Sequence, residues 1–239
     1  MRYLKFAFRR ETVAPVLALM FASAVCVALV SARIVWTGRG RYAFLVGNLF
    51  LAWLPLIFAV LACEKGRRST SWNWHLLAAA VAWLLFLPNA PYIFTDLIHL
   101  TRDRYMHFWV DLSLILCCAL TGLVLGFLSL YLMQSLVRSL FGRWWSWLFI
   151  LVVVGLSGLG ICIGRFLRFN SWDVLLRPVK LTVGIGSWLS EPLANASSLA
   201  FGVLFAAFFF IAYVMLYALT HLQPQTLDAD EMQNRVLSG

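Results

Sequence analysis

Two segments of this 239-residue chain carry side chains suited to acid–base and anion chemistry. The first, residues 84–111, holds Asn89, Asp96, His99, Asp103 and Asp111. A buried carboxylate beside an imidazole orients the ring and favours its charged form, which is what general-base chemistry needs. On a helix, Tyr92, Asp96, His99 and Asp103 fall at i, i+4, i+7 and i+11, one stripe. The second segment, residues 164–178, holds Arg165 and Arg168 at i, i+3. Each guanidinium is a planar fork of donors that matches phosphate or carboxylate. Asn170-Ser171-Trp172-Asp173 reads as a helix start, with Asn170 as cap and Asp173 at the third position. The free N–H groups of such a terminus favour anions. The expectation is a catalytic set of His99, Asp96 and Asp111, an anion-binding set of Arg165, Arg168 and Asn170, and orienting roles for Asn48, Asn89 and Asp173.

A plainer reading fits the same residues. The first segment is then an interfacial helix with a wet polar face, and Pro88 and Pro91 only kink it for packing. In that reading the arginines reach out to lipid head groups, and the NSWD string merely caps. Asp96, His99 and Asp111 also offer oxygen and nitrogen ligands at spacings that metal sites use. One histidine with scattered carboxylates is a thin ligand set, so neither a metal nor a cofactor is assigned. Gly158, Gly160 and Gly164 lack the spacing and the strand-to-helix setting of a nucleotide loop. His75, His107 and His221 stand alone near span ends or in a loop, as solvated histidines do.

The elements that must position these residues are set by composition. Apolar and aromatic residues make up 62% of the chain and charged residues 12%. Soluble domains run nearer about 45–50% and about 25%. A soluble domain, a disordered chain and a secreted disulfide framework are all excluded, the last because the five Cys lie inside apolar runs. Runs long enough to cross the hydrocarbon core, about 20 residues, cover 13–35, 43–63, 75–94, 108–134, 144–164 and 198–221. They are apolar all round rather than alternating, so they are helices and not barrel strands. The expected fold is all-α: a polytopic bundle of about six transmembrane helices, with a short interfacial helix over 174–189 that roofs the site. Residues 1–222 form one membrane-embedded domain and 223–239 a polar, disordered tail. The first span is read as an uncleaved anchor despite its small residues near Ala32.

Pro88 and Pro91 bracket Asn89, so the third span must break there and free carbonyls that Asn89 can bond. Gly122 with Gly126, and Gly160 with Gly164, mark close helix approach. Trp36, Trp72, Trp74, Trp109, Trp144 and Trp145 sit at span ends, while Trp53 and Trp83 lie deeper and pack. Arg2, Lys5, Arg9 and Arg10 before the first span favour a cytoplasmic N-terminus, although Lys and Arg divide ten to nine between the two sides. The polar segments then both emerge on the outer face. The net charge of +9 suits membrane lipids with anionic head groups and points away from nucleic acid.

The strings Pro88-Asn89-Ala90-Pro91-Tyr92, Thr95-Asp96-Leu97 with His99, and the run from Gly164 to Asp173 resemble the signature strings of the domain-of-unknown-function 1361 family. Asn48 to Trp53 and Asp111-Leu112 fit the same pattern, and the likeness covers roughly residues 45–220. The resemblance implies a multi-span protein of the bacterial inner membrane and brings no activity with it. Two functional expectations follow. One is an enzyme or binding protein acting on an anionic amphiphile at the outer leaflet. The other is an accessory or structural subunit with an unidentified protein partner, or a small-solute transporter. Transport fits less well, because no span carries a central charged residue and the halves do not repeat.

Overall fold

The computed structural model describes residues 10–68, 74–102, 107–191 and 193–220. Arg2, Lys5, Arg9, Trp72, Asp103, His221 and the 223–239 tail lie outside the described residues. The chain folds as a multi-pass helix bundle, with no strand among the described residues. Six spans, 14–37, 44–66, 74–100, 108–141, 143–167 and 196–220, are long and apolar enough to cross a membrane, with mean hydropathy of 1.7–2.5.

The elements are α1 (Arg10–Thr37), α2 (Phe44–Arg68), α3 (Trp74–Phe86), α4 (Asn89–Tyr92), α5 (Phe108–Phe141), α6 (Arg143–Cys162), α7 (Asp173–Leu176), α8 (Pro178–Ser190) and α9 (Ala196–Thr220). A 3-10 stretch, Ile93–Arg102, follows α4, and a π-helical turn, Ile163–Leu167, ends α6. Helix α5 is the axis of the bundle: 61% of an apolar 18-residue stretch of it is buried, against 17% for the like stretches of the first and last spans. Small residues on α5 admit the broken third span. A Cβ at residue 122 would meet the Ala90 carbonyl oxygen at 2.8 Å, and one at 126 would meet the Ala90 Cβ at 3.0 Å. On α6, a Cβ at residue 160 would lie 2.7 Å from the Pro88 ring. Gly142, at φ 91°, is the sole residue between α5 and α6, in a conformation that only glycine adopts without strain.

Tryptophans divide by depth. Trp36, Trp74, Trp109, Trp144 and Trp145 are exposed at span ends. Trp83 is buried, stacks on Phe149 and donates from its indole nitrogen to Ser129. Trp53 donates to Ser23 on α1.

Two sequence-based expectations are corrected. The segment after Pro91 resumes as a 3-10 helix and not as an α-helix, so the four-residue stripe through Tyr92, Asp96 and His99 does not hold. Rows in a 3-10 helix repeat every three residues, which keeps Asp96 and His99 on one row and drops Tyr92 from it. The expected helix start at Asn170 is only half formed. The Asp173 carboxylate accepts the Asn170 backbone N–H at 2.7 Å, but α7 is a single turn with no side-chain cap, so it offers no anion-binding helix terminus. The interfacial helix is realised as α8, starting at Pro178.

Candidate functional site

The broken third span and the loop after α6 are stitched together by hydrogen bonds. Pro88 has no N–H for the Leu84 carbonyl, and Ala90 turns its own N–H to Leu87 and not to Phe86, so the helical ladder is interrupted around Leu84 to Phe86. Side chains bond two of these carbonyls instead. Asn89 donates from Nδ2 to the Phe86 carbonyl at 3.0 Å and to Ser171 Oγ at 2.9 Å. Ser171 Oγ donates to the Leu85 carbonyl at 3.0 Å. The Phe86 carbonyl is therefore satisfied locally, and the Leu85 carbonyl from a residue more than eighty positions away.

This stitch brings the acidic and basic residues into one place. Asp96 is buried, 2% exposed, and accepts a hydrogen bond from Asn48 Nδ2 at 2.8 Å. Its other oxygen lies 3.9 Å from Arg165 Nη1 and 3.8 Å from His99 Nε2, ionic distances too long for hydrogen bonds. Asp96 thus sits beside the imidazole without a direct bond to it. The His99 ring packs on Phe44, and its backbone carbonyl accepts from Arg41.

Tyr92, Ile98, His99, Gly164, Arg165, Arg168 and Asn170 line a cavity of about 590 Å³. Among the described residues neither the Arg165 nor the Arg168 guanidinium donates a hydrogen bond to the protein. Arg168 holds φ 58°, the only non-glycine residue at positive φ among those described. A bulky side chain in the left-handed region costs on the order of 1–3 kcal/mol and is found most at functional sites. Asp96 sets one negative charge against two guanidiniums, so the wall is net positive before His99 is counted. A second cavity, of about 220 Å³, adjoins the first, and Tyr92, Gly164 and Asn170 line both.

Asn48 bonds a carboxylate, Asn89 a carbonyl and a hydroxyl, and Asp173 a backbone N–H. Asp111 stands apart from them. Arg33 donates to both of its oxygens, at 2.6 and 3.1 Å, and the Tyr42 hydroxyl donates at 3.0 Å. It lines neither cavity. Burial, and this donation to Asp111, push the Tyr42 phenol above its ordinary value. Asp96, His99 and Asp111 do not gather, and no group of three His, Cys, Asp or Glu suited to a metal occurs among the described residues.

Sequence reasoning missed Ser171, Arg33 and Tyr42. Ser171 lay inside a string read only as a cap. Arg33 was counted with the charges that set topology, and Tyr42 carried no pattern at all.

A family model described as a protein of unknown function (DUF1361) matches residues 48–215. The matched region runs from Asn48 through both polar segments and most of α9. No curated protein and no solved structure matches the chain.

Proposed function

The chain belongs to the DUF1361 family of proteins of unknown function, and we propose that it binds an anionic, lipid-like molecule between its third and fifth spans. Arg165 and Arg168 take the acidic group. His99, at the wall of the same cavity, gives or receives a proton, and Asp96 positions it and offsets part of the added charge. The observation that carries this reading is a pair of guanidiniums with no hydrogen-bond partner among the described residues, facing one polar cavity. Arg165 is half-buried and Arg168 exposed at the mouth, and an oxyanion there accepts hydrogen bonds from a guanidinium two at a time. With the N-terminus in the cytoplasm, the cavity opens towards the outer leaflet of the bacterial inner membrane.

The test is binding of vesicle-derived anionic phospholipid to the purified chain, with Arg165→Ala and Arg168→Ala compared against wild type. Each charge-assisted hydrogen bond is worth about 1.5–3 kcal/mol, so each variant loses roughly ten- to a hundredfold in affinity while still inserting and folding. Unchanged binding in a well-folded Arg165→Ala protein would sink the reading.

A further inference from the structure

The second cavity has no role in the reading above, and its construction is different from that of the first. Its walls are Leu51, Leu85, Pro88, Val174, Leu181 and Ile185, which bring together α2, the broken span and the α7–α8 roof. Of the polar side chains that reach it, three are engaged, while Tyr92 and Asn170 stand at the end it shares with the first cavity. Asn89 and Ser171 bond each other and the freed carbonyls, and Asn48 bonds Asp96. An engaged polar group adds little attraction for water, and cavities with apolar walls stay dry or take apolar guests. A cavity of about 150 Å³ suffices for benzene, so about 220 Å³ admits a longer apolar group.

On helix α8, Leu181 and Ile185 face the cavity, and Trp188 is buried with its indole donating to Ser198 on α9. Its exposed surface mixes Val179, Val183 and Leu189 with Lys180, Thr182 and Ser187. A helix of this mixed kind suits the membrane interface. The two cavities meet at Tyr92 and Gly164, where a Cβ at residue 164 would come within 3.3 Å of the Tyr92 ring. Glycine there lets the Tyr92 ring pack close, and the two residues form a wall that both cavities share.

We propose that the second cavity is a chain-binding chamber, and that the ligand is a single-chain amphiphile: one oxyanion head held by Arg165 and Arg168, and one apolar chain passing Tyr92 and Gly164 to lie under α8. This rests on the anion-binding reading above and adds to it the chain, its location and a limit on its length.

The test uses the full chain in nanodiscs of zwitterionic lipid, with heats from empty nanodiscs subtracted. The probes are inorganic phosphate and butyl, hexyl and octyl phosphate. Affinity for wild type is expected to rise about three- to fourfold per buried methylene and then level off once the chamber is full. Ile185→Trp fills the chamber and brings the plateau to shorter chains, with inorganic phosphate binding unchanged. Ile185→Ala moves the plateau to longer chains, and decides the matter if the Trp variant does not fold. Phosphate binding with no dependence on chain length, or a plateau that neither variant moves, overturns the chamber and leaves the anion site standing. Absence of binding by every probe to wild type overturns both.

Discussion

Asp96 and Asp111 are buried to nearly the same extent, at the same end of one bundle, and their surroundings could hardly be more different. Asp111 receives three hydrogen bonds, two from one guanidinium and one from a phenol, which bolt α1 and the α1–α2 connection to the start of α5. The Arg33 cation also lies 5.9 Å from the centre of the Trp36 ring, so both charges are compensated on the spot. Asp96 receives one hydrogen bond, from a neutral amide, and its two cationic neighbours stand off at 3.8 and 3.9 Å. Three close donors on one carboxylate hold helices together, although the Arg33 Nη1 is itself buried without a partner among the described residues. A carboxylate with one close donor, beside a cavity, leaves its cationic neighbours for something else. Burial alone does not separate the two, but the number of close donors to each carboxylate does.

The comparison breaks most visibly if Arg33 is removed. Arg33→Ala leaves the Asp111 carboxylate buried with only Tyr42, and is expected to cost about 3–5 kcal/mol. Loss of the folded fraction in detergent, followed by thermal or denaturant unfolding, measures it. Asp96→Asn is the counterpart: it removes a buried charge that lacks a close cation, so stability should stay within about 1 kcal/mol of wild type. Anion affinity should rise, because a negative charge near Arg165 has gone. Equal destabilisation by the two substitutions would erase the distinction.

Ser171→Ala tests the stitch between the segments. It strips the Leu85 carbonyl of its donor and Asn89 of an acceptor, at an expected cost of about 1–3 kcal/mol in unfolding experiments. The stronger sign is in binding, since Arg168 begins the loop that Ser171 anchors and Arg165 lies in the π-helical turn just before it.

Tyr42→Phe is the smallest change, about 1 kcal/mol at neutral pH from one lost hydrogen bond to a charged group that keeps two others. Its pH dependence sharpens the assignment. The folded state holds the Tyr42 proton above the phenol's ordinary value, so wild type loses stability as pH rises past about 10, where only the unfolded chain ionises. The advantage of wild type over Tyr42→Phe should therefore shrink in alkaline solution. A constant gap between the two melting curves would show that the phenol is not held protonated by the fold.

Much of this architecture is legible in the residues themselves. Span number, the break at Pro88 to Pro91, the role of Asn89 at the freed carbonyls and the depth of Trp53 and Trp83 follow from apolar run length and proline chemistry. The juxtaposition of the two polar segments follows from counting spans. The helix type was not legible. Nothing in Ile93–Arg102 distinguishes three residues per turn from 3.6, because the choice is made by the fit of Ala90 and Ile93 against Gly122 and Gly126 on another helix. The fate of Asp111 was hidden for a related reason. Its partner Arg33 is 78 positions away, and an arginine at a span end looks the same whether it anchors to lipid or pairs with a carboxylate.

The single-residue joint at Gly142 also bears on how the two helices move in a bilayer. With Gly142 alone between them, α5 and α6 have no loop to let out, so neither can tilt or slide far without the other. Arg138 and Arg143 flank that elbow and are exposed, a pair of charges suited to hold it at a membrane surface.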